Sequence, residues 1–239
     1  FPTRRSSDLI ESMGLVDGPG IRVVVFFQGC SLRCKFCHNP DTWNCNGGDE
    51  YTTEELVKKI ERFKPYFKQS GGGVTISGGD PLRQPEFLIE VLKLCKEKGI
   101  HTCVDTAGYG LGEYDEILKY TDLVLYDVKH FTREGYKKVT GLEIDESLNF
   151  LEAMQRNNTK MWIRHVVVPG LTDGEEHIKA LGEYIKNIKN VEKVELLPYH
   201  LLGVNKYENL GMEYRLEGTP AMDKEICNKY KELLNEVIG

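Results

Sequence analysis

The chain has 239 residues, of which 40% are hydrophobic and 28% charged, and its formal net charge at pH 7 is −6. This length can bury one substantial core, so we expect one domain. The acidic balance argues against nucleic-acid binding, which depends on clustered Lys and Arg. No stretch approaches the roughly 20 apolar residues that span a bilayer, and we expect no secretory signal, no membrane contact and a cytoplasmic location.

Residues 1–9 match no predicted element and look like a translated sequencing adapter. We therefore predict that they are non-native and that residues 10–239 form the functional domain.

Runs rich in β-branched residues predict six strands, at 21–28, 73–77, 101–105, 123–129, 161–168 and 194–199. Amphipathic periodicity predicts helices between and after them, at 53–67, 85–98, 145–157, 173–190 and 223–237. This alternation is typical of βα units and a parallel sheet.

The polar residues follow nearly every predicted strand at its carboxyl end, from the cysteine loop after the first strand to His200 after the sixth. In a β/α barrel those ends converge on one mouth, whereas a doubly wound sheet concentrates such residues at a single switch point. We therefore predict an α/β fold that is a partial (β/α)6 TIM-like barrel with a parallel six-stranded sheet.

Three of the seven cysteines, Cys30, Cys34 and Cys37, lie within eight residues on the loop that leaves the first strand. Such a loop can wrap an iron-sulfur cluster, and three ligands would leave one iron free for a substrate's amino and carboxylate groups. Two alternatives stay open: a structural zinc site completed by His38 or Cys45, and unligated cysteines. The other four cysteines are scattered singly.

The sequence around the cysteines carries an ordered set of further motifs. They are Asp17-Gly-Pro-Gly-Ile-Arg22, Phe27-Gln-Gly-Cys30, Cys37-His-Asn39, Ser70-Gly-Gly-Gly-Val74, Trp162-Ile-Arg-His-Val-Val-Val-Pro-Gly170 and Leu196-Leu-Pro-Tyr-His200. With an aromatic residue just before the third cysteine, this set resembles the pyruvate formate-lyase activating enzymes, which are glycyl radical enzyme activases of the radical S-adenosylmethionine superfamily. The resemblance runs from about Glu11 to the last predicted helix.

The resemblance implies a 4Fe-4S cluster held by Cys30, Cys34 and Cys37, which are also the catalytic residues. It implies a site for S-adenosylmethionine that is formed by Phe36, His38, Gly78, Gly79, Asp80, Asp105, Asp127, Val128, Lys129 and His200. Asp105 and Asp127 would also help to hold a monovalent cation. Asp17 and Arg164 would hold the backbone of a target peptide.

Some of these residues also have purely structural interpretations. Asp127 and Lys129 share one face of a strand and could form a stabilising ion pair. Arg164 could pair with Asp127 or Asp17, and a lone histidine such as His200 is more often a satisfied structural residue.

By resemblance, the substrate is pyruvate formate-lyase, the electron donor is a flavodoxin or ferredoxin, and the enzyme is a cytoplasmic monomer of anaerobic glucose metabolism. An activase of another glycyl radical enzyme, or a radical enzyme with a small-molecule substrate, uses the same chemistry and stays an alternative. A zinc-stabilised binding module without catalysis is the alternative from another class.

Overall fold

The computed structural model describes residues 4–239, and one eight-stranded sheet runs through this part of the chain. The strands are β1 (Arg4–Gly14), β2 (Arg22–Phe27), β3 (Asp49–Tyr51), β4 (Gly73–Gly78), β5 (His101–Thr106), β6 (Leu123–Asp127), β7 (Met161–Val167) and β8 (Val191–Pro198). Their order in the sheet is β3-β1-β2-β4-β5-β6-β7-β8. The sheet is therefore open, with β3 and β8 at its edges.

Six of these strands, β2 and β4 to β8, pair in parallel and correspond to the six predicted strands. The predicted partial barrel is confirmed. The sheet also has two antiparallel strands that the sequence did not predict, since β1 pairs with β2 on one side and with β3 on the other. β1 begins at Arg4, so residues 4–9, which no predicted element included, extend a strand of this sheet, while residues 1–3 lie outside the described part. That residues 1–9 are non-native stays a prediction.

Nine α-helices accompany the strands over residues 4–239. They are α1 (Thr53–Glu61), α2 (Lys64–Ser70), α3 (Pro85–Glu97), α4 (Tyr114–Lys119), α5 (Arg133–Thr140), α6 (Asp145–Arg156), α7 (Glu175–Ile185), α8 (Val204–Asn209) and α9 (Lys224–Ile238). The helix predicted at 53–67 is two helices, because Pro65 occupies the first turn of α2 and cannot donate a bond within a continuing helix. None of the helices described is both long and apolar enough to cross a membrane.

Strands β2 and β4 to β7 are buried on both faces, and their successive side chains point to opposite sides of the sheet. Val104, Val124 and Ile163 belong to the main core between the sheet and the helices. Leu125 lies on the opposite, concave face in a smaller cluster packed against Trp162. Above this apolar floor, the same concave face carries the polar residues at the strand ends.

Candidate active site

A cavity of about 230 Å³ opens where the parallel strands end, between those ends and the cysteine loop. Its lining includes twelve of the predicted site residues: Cys30, Cys34, Phe36, Cys37, His38, Gly78, Gly79, Asp80, Asp105, Asp127, Lys129 and Arg164. The strand ends therefore do meet at one mouth, as the barrel prediction requires.

Backbone hydrogen bonds fix the cysteine loop on two sides. At its start, Gly29 N–H donates to the Thr42 carbonyl at 2.8 Å. Around Cys34, the amides of Arg33 and Lys35 donate to the Thr140 and Val139 carbonyls at 2.9 and 3.0 Å. Since those carbonyls belong to the last turn of α5, this helix holds the backbone on both sides of Cys34.

The three thiols lie in a poorly solvated place. Cys34 is buried, and Cys30 and Cys37 are half-buried. Burial raises the pKa of all three thiols, that of Cys34 to about 12, so as free thiols they hold their protons at neutral pH. A bound metal centre would deprotonate them outright.

The donor set fits a cluster better than a single ion. Across residues 10–239, whose side chains the structure describes, no three His, Cys, Asp or Glu side chains converge on a point where one metal ion could sit. Thiolates on one zinc would all lie about 2.3 Å from it. A 4Fe-4S cluster needs no such convergence, because each cysteine binds a different iron. The three thiols facing one cavity therefore fit the cluster.

The glycine pair Gly78-Gly79 brings two loops into backbone contact. A Cβ at Gly78, whose φ is +115°, would overlap the backbone of Phe27, and one at Gly79 would lie 2.5 Å from the Gly29 carbonyl oxygen. In their place, Gly79 N–H donates to the Phe27 carbonyl and Asp80 N–H to the Gly29 carbonyl, both at 2.9 Å. The pair thus holds the strand end of β4 against the start of the cysteine loop.

The Asp80 carboxylate is buried and accepts three hydrogen bonds from the chain itself. One oxygen accepts from Leu82 N–H at 3.1 Å and from the Thr106 hydroxyl at 2.7 Å, and the other accepts from Ala107 N–H at 3.3 Å. Burial raises its pKa to about 6, although these bonds counteract the rise. Asp80 thereby ties the glycine turn to the end of β5.

Asp127 and Lys129 form an ion pair of 2.7 Å that faces the cavity, with side chains only 21% and 14% exposed. The Lys129 ammonium lies 5.6 Å from the centre of the Phe36 ring. Burial alone would lower the pKa of Lys129, but the charge and hydrogen bond of Asp127, together with the charges of Cys34 and Asp105, outweigh it. The pKa is therefore raised, and this side chain stays cationic. Val128, between them, turns its side chain away into the core and does not line the cavity.

Asp105, on the neighbouring strand, accepts a hydrogen bond of 2.7 Å from the Ser77 hydroxyl. Burial raises its pKa, the Arg164 charge lowers it, and the Asp127 charge raises it again. Two carboxylates therefore face the same cavity as one lysine.

His38 and His200 stack at the rim of the cavity with ring centres 4.0 Å apart. His38 Nε2 lies 3.0 Å from the His200 carbonyl, so that nitrogen carries the proton and donates it. Tyr207 supports this wall, because its hydroxyl donates to the Cys37 carbonyl at 3.0 Å and its ring packs edge-on against Trp43. His200 contacts the site through His38 and does not itself line the cavity.

Arg164 is buried and links three segments of the chain. Its Nε donates to Glu195 at 3.1 Å, one Nη lies 3.8 Å from Asp105, and the other donates to the Val16 carbonyl. The structural alternative, that Arg164 pairs with a carboxylate such as Asp127 or Asp17, therefore holds with other partners, because the parallel register places Glu195 beside it. Asp17 is close enough for the Arg164 charge to lower its pKa, but burial dominates and the pKa is raised.

The cavity also includes residues that the sequence analysis did not assign to the site: Leu32, Asn39, Trp43, Ser77, Thr106, Ala107, Val166 and Leu197. Ser77 and Thr106 follow the strand-end pattern, because they are the neighbours of Gly78 and Asp105 in the chain. Val166 and Leu197 carry no chemical signal, and only the register of β7 and β8 brings them to the mouth.

A family model described as Radical SAM superfamily matches residues 24–181 of the chain. The chain therefore belongs to the radical S-adenosylmethionine superfamily, whose members use a 4Fe-4S cluster and S-adenosylmethionine. Within it, the chain groups with the pyruvate formate-lyase-activating enzymes. It is 64% identical over 229 residues to the one from Clostridium pasteurianum, covering 96% of each chain. It is 44% identical to the pyruvate formate-lyase 1-activating enzyme of Escherichia coli K12, covering 95% of this chain and 93% of the relative.

Solved structures support the same fold. A domain of a pyruvate formate-lyase-activating enzyme from Bacteroides vulgatus is 26% identical, with a TM-score of 0.57, covering 70% of this chain and 95% of that one. Streptococcus suis SuiB bound to its precursor peptide SuiA is 18% identical, with a TM-score of 0.67, covering 93% of this chain and 46% of that one. At that identity SuiB shows a shared fold alone.

Proposed function

We propose that the chain activates pyruvate formate-lyase by removing a hydrogen atom from one of its backbone glycines and leaving a glycyl radical there. The proposal rests on one observation, that Cys30, Cys34 and Cys37 share a cavity with the polar ends of four strands. The relatives that carry this activity in their names are 64% and 44% identical to the chain.

Cys30, Cys34 and Cys37 would hold the cluster and leave one of its irons without a protein ligand. The bound, reduced cluster would supply the one electron needed for reductive cleavage of the C5′–S bond of S-adenosylmethionine, the chemistry that ends in loss of a hydrogen atom from the glycine. The chain contributes the orientation of the reactants and a site from which water is excluded. Because the free thiols keep their protons, binding the cluster would release protons to solvent.

The cavity offers complementary groups for each part of S-adenosylmethionine. Lys129 would bind the carboxylate of the methionine moiety, and the Gly78-Gly79-Asp80 turn would bind its amino group through backbone carbonyls. Val128 would contribute only its backbone, since its side chain is buried in the core. These roles are supported by the position of the residues around one cavity.

The adenosine would lie against the aromatic wall of Phe36, His38 and His200, where the stacked imidazoles present flat surfaces. The carboxylates of Asp105 and Asp127 would bind a monovalent cation beside the cofactor's carboxylate. Both acids face the cavity, and the Asp127 charge helps to raise the pKa of Asp105, an effect that a cation bound between the two carboxylates would reduce.

The target glycine would enter through the open side of the sheet, because β8 does not close onto β2. Arg164 and Asp17 would hold the backbone of that peptide, and the bond from Arg164 to the Val16 carbonyl places the 15–21 loop next to this entrance. We propose that the chain works as a monomer in the cytoplasm and receives its electron from a flavodoxin or ferredoxin.

The test is an anaerobic mixture of the protein with S-adenosylmethionine, dithionite and pyruvate formate-lyase, followed by electron paramagnetic resonance. We expect a glycine-centred doublet, and 5′-deoxyadenosine as the product from the cofactor. Cys34→Ala should abolish both the cluster and the doublet. Cys45→Ala is the matched control, because Cys45 lies nearby but outside the three-cysteine spacing, and it should keep three to four irons.

The same preparation tests the alternatives. A colourless zinc protein, or loss of metal in the Cys45→Ala variant, would support the zinc module and refute the proposal. Cleavage of S-adenosylmethionine without a doublet on pyruvate formate-lyase would instead indicate an activase of another glycyl radical enzyme or an enzyme with a small-molecule substrate.

A further inference from the structure

Three histidines cluster on the outer side of the sheet, away from the cavity. His165, on β7, is 1% exposed, and its Nε2 lies 3.1 Å from Nε2 of His177 on α7. The two rings stack with centres 5.2 Å apart, and His130 lies edge-on to His177 at 5.1 Å. The sequence signals used for the cofactor site did not single out this cluster.

The hydrogen bonds of His165 determine which nitrogen carries its proton. Its Nδ1 lies 2.7 Å from the Val128 carbonyl oxygen, which can only accept, so Nδ1 must donate. Burial lowers the pKa of His165 to about 4, so the ring is neutral at pH 7 and Nε2 is an acceptor. His177 must therefore donate to it through its own Nε2. The neutral pair fixes the His165 ring in one tautomer and one orientation.

The Val128 carbonyl lies where the pairing of β6 with β7 ends. The last backbone hydrogen bond between the two strands runs from Val128 N–H to the Arg164 carbonyl at 2.9 Å. Beyond it, the Val128 carbonyl accepts its hydrogen bond from the His165 side chain. That carbonyl is in the same peptide plane as the Lys129 amide. Fixing it therefore fixes the direction in which the backbone sends Lys129 into the cavity, beside Asp127.

We propose that His165 is a positioning residue of the cofactor site, which acts through the Val128 carbonyl to hold Asp127 and Lys129 in their orientation toward the cavity. It touches neither the cofactor nor the reacting atoms. This inference rests on the proposed function, because it assumes that Lys129 binds the carboxylate of S-adenosylmethionine. It belongs to the pattern in which a histidine outside a site orients the groups that form it.

Two substitutions at this one position separate the role from general packing. In His165→Asn, the side-chain amide nitrogen stands where Nδ1 stood and can still donate to Val128. In His165→Gln, the amide reaches the place of Nε2, toward His177, and cannot reach Val128. His177→Gln replaces the outer ring by an amide that can still reach Nε2 of His165, and it leaves the bond to Val128 intact.

The measurement is the dissociation constant of S-adenosylmethionine on the anaerobic, cluster-loaded protein, with iron content as the check on each preparation. We expect about tenfold weaker binding in His165→Gln, the size of one buried hydrogen bond, and changes within about twofold in His165→Asn and His177→Gln. KM for S-adenosylmethionine should follow the dissociation constant while kcat changes less. In the cofactor-free protein, the amides of residues 127–131 should exchange faster in His165→Gln only.

Equal weakening in the Asn and Gln variants, or normal binding in His165→Gln, would overturn the inference. If His165→Gln does not fold, two other measurements decide: the affinity of His165→Asn for S-adenosylmethionine, and the nitrogen NMR spectrum of the histidines in the wild type. A loss of affinity in His165→Asn, or a proton on Nε2 of His165, also overturns the inference. Failure of the wild type to bind S-adenosylmethionine would refute the proposed function instead.

Discussion

Replacing Gly79 by alanine should remove the cluster without changing any residue that could bind it. The added Cβ would lie 2.5 Å from the Gly29 carbonyl oxygen, whereas ordinary contact begins at 3.4 Å. The turn and the cysteine loop must therefore separate by about 0.9 Å, several times the roughly 0.2 Å within which metal–ligand distances are held. The overlap is with backbone, so no side chain can move to relieve it.

The energetic cost of this change can be estimated from the same contacts. Overpacking of this kind costs about 1–3 kcal/mol, and each of the two 2.9 Å backbone bonds across the contact contributes about 1 kcal/mol. We expect the free energy of unfolding to fall by about 3 kcal/mol, with larger losses if both bonds break. Iron per chain after anaerobic reconstitution, and the cluster's paramagnetic signal after reduction, should both drop to near zero.

Gly47 provides the control for this experiment. A Cβ there meets only the flexible Gln28 side chain, at 3.3 Å, so Gly47→Ala should bind iron as the wild type does. A Gly79→Ala protein with its full iron complement and unchanged stability would refute the argument that this glycine exists to let the two backbones meet.

Three further predictions concern stability. Asp80→Asn should lower the free energy of unfolding by about 1–3 kcal/mol in denaturant titrations. The Asn NH2 group would face the Ala107 N–H, which now donates a hydrogen bond to the carboxylate, so two donors would meet; an unchanged midpoint would contradict this. Phe150→Ala, which empties a fully buried site, should cost about 3–5 kcal/mol in the same assay, and a cost under 1 kcal/mol would be inconsistent with the packing described. The pKa of His165 in the folded protein is about 4 against an ordinary 6.5. The contribution of its neutral ring to the free energy of unfolding is therefore complete above pH 6.5 and is lost as the pH falls toward 4. Relative to His165→Asn, the wild type should therefore lose up to about 2 kcal/mol between pH 7 and 5, and parallel pH curves would disprove the shift.

The predictable part of the fold was the part with a local signal. Each predicted run overlaps the corresponding parallel strand in the structure, and all of these strands except the edge strand β8 are mostly buried. β1 lacks such a run, because the sequence of Arg4–Gly14 is mostly polar, and its strand conformation depends on pairing with β2. The helices α4, α5 and α8 have six to eight residues, too few for periodicity to stand out.

The site was predictable where residues with the same chemical role lie close together in the sequence. Cys30, Cys34 and Cys37 are such a case. The partner of Arg164 was not, because Glu195 reaches it only through the register between β7 and β8. The glycines after β4 were predictable as a close approach, but their partner is the Gly29 backbone, which no local pattern reveals. Register and loop-to-loop contact are tertiary properties.

The position of β1 in the sheet keeps the barrel open. β2 pairs with β4 on one side and with β1 on the other, so both of its hydrogen-bonding edges are occupied. β8 therefore cannot pair with β2 to close the barrel. The gap is thus a consequence of the strand order, and no conformational change is needed to open it. On the proposed function, the target glycine would enter this gap on one extended segment of the substrate, and the globular body of the substrate would stay outside.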